Sequence, residues 1–97
     1  MLEKLFYPKT VAIIGASSRV FSIGNKIVKN LIDYGFKGEI YPVNPKADFI
    51  CDRKAYPSIL DIPGDIDLVH IVIPNKFVPM AINDCGKKNV KLVIVNS

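Results

Sequence analysis

Apolar residues in this chain alternate between short continuous runs and stretches with helical spacing. The first run, Thr10–Ile14, is rich in β-branched residues and predicts a strand buried on both faces. From Ile23 to Tyr34 the apolar positions fall on one face of a helix, and Gly35 follows where helices commonly end. The chain therefore opens with a strand, a loop and a helix.

Three further apolar runs predict strands, and they span Glu39–Val43, Leu68–Ile73 and Val90–Val95. The proline at position 42 suits an edge strand, because it cannot donate to a neighbour. Residues 44–66 are mostly irregular, and we expect only a short edge strand at 54–56 and one helical turn around 58–61.

A second helix is predicted after Pro74. Its apolar residues share one face, and they are Phe77, Ala81, Ile82 and Cys85. Asn75 is the expected N-terminal cap, and Pro79 falls in the first turn, where its missing N–H costs little.

This order of elements predicts an α/β fold, a Rossmann-like, mostly parallel, doubly wound sheet in a single domain over residues 1–97. The expected strand order is 54–56, 39–43, 10–14, 68–73 and 90–95. The order reverses between 10–14 and 68–73, and ligands bind beyond the carboxyl ends of strands at such a point. Because the chain stops just after a strand, we expect it to be a truncated portion of a longer protein.

The composition is that of an ordinary globular domain, with 49% hydrophobic residues and a net charge of +4. The lysines are scattered, which argues against a nucleic-acid surface but suits a polyanionic small molecule. Cys51 and Cys85 belong to no metal-binding motif, so we expect free buried thiols and no metal. The apolar runs are too short to span a membrane, and an early acid and Pro8 exclude a signal peptide. We therefore expect a cytoplasmic protein.

The loop after the first strand is the principal candidate site, and it contains Gly15, Ala16, Ser17, Ser18 and Arg19. Glycine permits a tight turn, and small residues let the backbone approach a phosphate. The following helix directs unpaired N–H groups and its positive dipole end toward an anion. Serine hydroxyls and an arginine add donors and charge, so the loop predicts a phosphate-bearing ligand.

The end of the second strand narrows the choice of ligand. NAD-binding domains usually place an acid there to bond the ribose hydroxyls, whereas this chain has Asn44-Pro45-Lys46. A lysine attracts a phosphorylated ribose, so Lys46 favours coenzyme A or NADP over NAD.

Two other strand ends complete the candidate crevice. Ile73 and Pro74 would shape its wall, and Asn96 with Ser97 could bond an amide or a phosphate of the ligand. The single histidine, His70, is expected to be a satisfied core residue. Because no catalytic triad or carboxylate pair can be assembled, the segment predicts a binding site without catalytic residues.

Taken together, these motifs resemble the CoA-binding domain of the ADP-forming acyl-CoA synthetases, a family related to the alpha subunit of succinyl-CoA synthetase. The resemblance extends from about Leu5 to Ser97. Its most specific mark is Tyr41–Lys46, and the others are Val11–Ser17, Gly35–Gly38, Lys54–Ser58, Asp67-Leu68 and Ile73-Pro74. The chain departs from the family in the loop before the first helix, where it has Arg19–Gly24 in place of the frequent Pro-Gly.

The resemblance implies coenzyme A or acyl-CoA as the ligand, with the first loop around its phosphates and adenosine and Lys46 on a phosphate. Residues 73–74 and 96–97 would line the path of the pantetheine arm. It also implies an enzyme that converts acyl-CoA, phosphate and ADP to acid, CoA and ATP, whose other ligase domains or ATP-grasp subunit lie outside this chain. Neither nucleic acid nor a membrane is an expected partner.

Two other functions remain open from the sequence. One is a non-catalytic CoA-binding module, either free-standing or fused to a protein acetyltransferase. The other is an NADP-binding oxidoreductase or redox regulator, because Lys46 would also suit the phosphate of NADP.

Overall fold

A computed structural model describes residues 8–96 of the chain. Its strands are β1 (Thr10–Ile14), β2 (Glu39–Val43), β3 (Phe49–Ile50), β4 (Arg53–Lys54), β5 (Leu68–Ile71) and β6 (Leu92–Val95). Four of them form the central sheet in the order β2-β1-β5-β6, and every neighbouring pair is parallel. This arrangement confirms the predicted Rossmann-like α/β fold.

β1 lies in the middle of the sheet, with β2 on one side and β5 on the other, so the direction in which strands are added reverses at β1. β1 pairs with β2 from Thr10↔Glu39 to Ile14↔Val43, and with β5 on its other side up to Ile14↔Ile71. The carboxyl ends of these strands therefore meet at one edge of the sheet. β2 lies at the edge, as its proline predicted.

The two helices, α1 (Ile23–Asp33) and α2 (Val78–Lys87), cover opposite faces of the sheet. Successive residues of a strand point to opposite faces. Ile13 accordingly packs with Val28 of α1, whereas Ala12 packs with Ala81 and Cys85 of α2. In the described part of the chain, no helix is long and apolar enough to cross a membrane.

The helix ends agree only partly with prediction. Gly35 has φ +77°, as expected for the residue that ends α1. Asn75 does not cap α2: it lies in a 3₁₀ turn, Asn75–Phe77, that precedes the helix, and α2 begins with no side-chain cap. Phe77 and Ile82 are 49% and 48% exposed, and Phe77 lies in the 3₁₀ turn, so the predicted place of both on the buried face of the helix is wrong. α2 touches the sheet along a narrow line through Ala81 and Cys85, and Ile82 lies beyond it.

Residues 44–66 are more ordered than predicted. β3 and β4 form an antiparallel hairpin apart from the main sheet, joined by Cys51 and Asp52, which both have positive φ. The expected edge strand at 54–56 is absent, because only Tyr56 pairs with β2, through one bridge to Val43. The predicted helical turn is confirmed as a 3₁₀ turn, Ile59–Asp61, whose cap is the Ser58 side chain.

His70 differs from the satisfied core histidine that was predicted. It lies on β5 between Ile13 and Ile94 of the neighbouring strands. Within residues 8–96 its Nε2 atom is buried without a hydrogen-bond partner. Burial lowers the pKa of the imidazole below its ordinary value of 6.5, so the neutral ring is favoured in the folded protein.

We expect the free energy of unfolding to fall as the pH drops from 7 to 5, and His70→Val to reduce that dependence. Below pH 6.5 the unfolded chain takes up a proton on this ring before the folded chain does, so acid favours unfolding. Urea unfolding at several pH values measures the effect. Equal pH slopes for the variant and the unsubstituted protein would contradict this account.

Candidate functional site

The turn after β1 is held very close to the rest of the fold. Gly15 has φ +98°, and its N–H donates to the carbonyl of Val43 at 3.3 Å. A Cβ at this position would overlap the carbonyl oxygen of Val72, beyond the end of β5. A Cβ on Gly24 of α1 would in turn overlap the carbonyl oxygen of Gly15. Gly24 thus allows the first turn of α1 to lie against the loop, and Gly15 allows the loop to lie against the end of β5.

The loop from Ser17 to Ser22 is held by its own serines. The Ser17 hydroxyl accepts from the Arg19 N–H at 3.0 Å. The Ser22 hydroxyl donates to the Arg19 carbonyl at 2.8 Å and accepts from the Asn25 N–H at 3.1 Å, which caps α1. Val20 and Phe21 are 66% and 90% exposed, so the bulky side chains of this loop point outward and do not obstruct the turn.

One cavity, of about 420 Å³, opens between the end of β1 and the end of β2. Gly15, Ala16 and Ser17 form its wall on the loop side, and Asn44 with Pro45 form the wall beyond β2. We call it the β2-side cavity. It brings together the first and second segments that the sequence predicted to share a ligand.

A second cavity, of about 440 Å³, lies between the start of α1 and the end of β5, and we call it the β5-side cavity. Its lining includes Gly24, Pro74 and Asn96. Gly15 and Ile73 line both cavities, so the two spaces are neighbours on either side of these residues.

The structure places most of the predicted site residues at these cavities. Those that line one or both are Gly15, Ala16, Ser17, Ile73, Pro74 and Asn96. Ser18, Arg19 and Lys46 line neither cavity and are exposed, close in the chain to residues that do line one. Ser97 lies outside the described residues.

The far wall of the β2-side cavity was not predicted. It consists of Ser58 and Ile59 from the first 3₁₀ turn and Phe77, Met80 and Asp84 from α2 and the turn before it. Phe77 and Met80 are 49% and 70% exposed, so they present apolar surface to this cavity and to solvent. No local sequence pattern marks these residues, because their grouping depends on how α2 crosses the sheet.

Two asparagines hold the loop: Asn25 was not predicted as part of the site, and Asn44 belongs to a predicted segment but was given no role of its own. Asn25, only 6% exposed, donates from Nδ2 to the Ser17 carbonyl at 2.8 Å. Asn44 donates from Nδ2 to the Ala16 carbonyl at 2.9 Å. A signal for Asn25 exists in the sequence: it is a polar residue three positions before the buried Val28, and so lies on the inner side of the helix.

The cysteines are free thiols and have different surroundings. Cys85 is buried beneath α2, as predicted, and burial together with Asp84 raises the pKa of its thiol. Cys51 is only partly buried, in the turn between β3 and β4. A raised pKa disfavours the thiolate, so Cys85 is a packing residue.

Comparisons of the sequence and the structure with known proteins all indicate one family. Residues 9–97 match the family model described as a CoA binding domain. The chain is 54% identical over 97 residues to acetate–CoA ligase [ADP-forming] II of Archaeoglobus fulgidus, covering 99% of this chain and 14% of that protein. It is 50% identical over 100 residues to the alpha subunit of acetate–CoA ligase [ADP-forming] I of Pyrococcus furiosus, covering 99% and 22%.

A solved structure shares the fold closely. It is the dinucleotide forming acetyl-coenzyme A synthetase 1 of Ca. Korarchaeum cryptofilum in complex with phosphate and ADP. Its TM-score is 0.96 at 43% identity, covering all of this chain and 21% of that one. The chain thus spans about a fifth or less of the length of these similar proteins.

We expect Gly24→Ala to lower the free energy of unfolding by about 1–3 kcal/mol, because the added methyl group overlaps the backbone at Gly15. Gly86→Ala in α2 is the matched control. A Cβ at Gly86 meets nothing within 4 Å, so this change should stabilise the helix by about 0.5–1 kcal/mol. Urea unfolding measures both variants, and similar effects of the two would refute the close contact at Gly24.

Proposed function

Because the chain belongs to the family of CoA-binding domains, we propose that it supplies the CoA site of an ADP-forming acyl-CoA synthetase. In that reaction acyl-CoA, phosphate and ADP are converted to the free acid, CoA and ATP. The described residues contribute binding groups at the carboxyl edge of the sheet, and the remaining ligase domains or an ATP-grasp subunit would supply the chemical steps.

The observation that carries this proposal is the pair of adjoining cavities beneath a loop rich in backbone donors. CoA has two unlike halves, a phosphorylated adenosine and a pantetheine arm, joined by a diphosphate. Two neighbouring cavities that share the lining residues Gly15 and Ile73 suit a ligand with two such halves. Gly15 lies beside the start of α1, where the helix dipole favours negative charge.

We place the adenosine in the β2-side cavity. Its apolar lining at Ile14, Val43 and Ile59 suits a planar base, and Ser17 and Asn44 offer polar groups at the rim. Lys46 follows directly after the lining residue Pro45, so its ammonium group can reach a phosphate on the ribose. Gly15, Ala16, Ser17 and Ser18 then surround the diphosphate, with Arg19 as a second cation.

The pantetheine arm would follow the β5-side cavity, past Ile73 and Pro74 toward Asn96. This channel combines apolar walls with amide side chains, which matches an arm made of methylene groups and two amides. Asn96 follows β6, at the opposite end of the sheet from β2, so the thiol would point away from β2.

The same geometry bears on the choice between CoA and NAD. The residues just beyond β2 include no acid to bond free ribose hydroxyls, and the first charge reached there is Lys46. A carboxylate at that place would repel a phosphorylated ribose, whereas the lysine attracts it.

We expect the intact protein to bind CoA in isothermal titration. Lys46→Ala should weaken the affinity for CoA by about tenfold, because one charge-assisted contact is lost. Dephospho-CoA, which lacks the ribose phosphate, should bind the variant and the unsubstituted protein equally well. Higher salt should weaken CoA more than dephospho-CoA. Lys29→Ala, on the exposed side of α1, is the matched control and should change neither affinity.

A competition experiment separates CoA from the dinucleotides. CoA already bound to the intact protein should not be displaced by NADPH or NADH at comparable concentration. Displacement by NADPH would favour an oxidoreductase or redox regulator, and a protein that binds neither ligand would refute the proposal.

A further inference from the structure

The two amides that hold the loop after β1 have a role beyond packing. We infer that Asn25 and Asn44 are positioning residues, an inference that rests on the proposed CoA site. Their amides turn the carbonyls of Ala16 and Ser17 away from the ligand, so that the N–H groups of Ser17 and Ser18 face its diphosphate.

The argument starts from the two bonds themselves. Nδ2 of Asn44 donates to the Ala16 carbonyl at 2.9 Å, and Nδ2 of Asn25 donates to the Ser17 carbonyl at 2.8 Å. The two acceptors belong to consecutive peptide units of one loop. The orientation of both amides is determined by chemistry, since a backbone carbonyl can only accept and must therefore face the NH₂ group.

Peptide geometry converts these bonds into directions. In a planar trans peptide, the carbonyl of one residue and the N–H of the next point to opposite sides. With the Ala16 carbonyl held toward Asn44, the Ser17 N–H points away from the end of β2. With the Ser17 carbonyl held toward the buried Asn25, the Ser18 N–H points away from the helix and outward.

These two N–H groups are also free to bind a ligand. Within residues 8–96, neither the Ser17 N–H nor the Ser18 N–H has a hydrogen-bond acceptor. The next N–H, that of Arg19, is already taken by the Ser17 hydroxyl at 3.0 Å. Two adjacent unpaired backbone donors in one turn form a group of N–H dipoles that is suited to an anion.

The two asparagines differ in what else they hold. Oδ1 of Asn44 accepts from the Lys46 N–H at 2.7 Å, so this one side chain connects the diphosphate loop to the residue proposed for the ribose phosphate. The Asn25 amide instead lies 3.7 Å from the Cys51 sulfur, which holds it against the β3–β4 hairpin. Asn44 therefore positions two phosphate contacts, and Asn25 only one.

This difference predicts a pattern that no general loss of stability would produce. In isothermal titration of the intact protein, Asn25→Ala should weaken the affinities for CoA and for dephospho-CoA by the same factor, about tenfold. Asn44→Ala should weaken the affinity for dephospho-CoA by about tenfold and the affinity for CoA by clearly more. Lys46→Ala, in contrast, should affect CoA alone.

The controls separate positioning from folding. Asn30→Ala removes an amide from the exposed side of α1 and should leave both affinities unchanged. Each titration also reports its stoichiometry, which falls if part of the protein is unfolded, whereas a misplaced loop changes the dissociation constant at full stoichiometry. Asn25 is buried, so Asn44→Ala, at a partly exposed position, carries the test if Asn25→Ala does not fold.

Each outcome bears on a distinct claim. Dissociation constants within twofold of the unsubstituted protein for both asparagine variants would overturn the inference and leave the CoA site standing. Reduced stoichiometry with unchanged affinity would overturn it as well, since the amides would then act on folding alone. Absence of CoA binding by the unsubstituted protein would overturn the proposed function, and the inference with it.

Discussion

The close approach of α1 to the turn after β1 is the contact on which the rest of the site depends. A side chain at Gly24 would overlap the backbone of Gly15, so α1 and the turn meet only because residue 24 is glycine, while Gly15 lets the same turn lie against the carbonyl of Val72. The contact places the first turn of the helix beside the loop. It also sets Ser22 where it caps the helix and Asn25 where it lies beneath the loop. The carboxyl edge of the sheet, the positive N-terminal end of α1 and the loop after β1 thus lie close together.

Around this contact, the site relies on oriented backbone more than on charged side chains. Ser18, Arg19 and Lys46 are exposed, whereas the groups with defined directions are peptide units and buried or half-buried amides. Fixed dipoles need no rearrangement when an anion arrives, which makes them effective binding groups. The exposed Val20 and Phe21 leave this arrangement undisturbed, because the serines on either side close the turn beneath them.

The elements that were predicted correctly are those with a strong local signal. β1 is apolar throughout because both its faces are covered, and α1 is recognisable from its spacing and from Gly35 at its end. The errors arise where tertiary contacts override local pattern. Asn75 is a good capping residue by type, yet the chain forms a 3₁₀ turn there and the helix begins later. Ile82 has the right spacing for the inner face, but the helix contacts the sheet along too narrow a line to bury it.

The sequence by itself determined the parallel α/β architecture and marked residues 15–19 and Lys46 as candidates for binding a phosphorylated ligand, because buried strands, glycine turns and a missing acid are all local features. Only the tertiary structure decided that two cavities lie at the carboxyl edge of the sheet, that α2 supplies a wall of one of them, and that Asn25 and Asn44 donate to carbonyls of the loop after β1. Each of these features joins residues far apart in the chain. Their relation is set by how the helices cross the sheet, which no local pattern specifies.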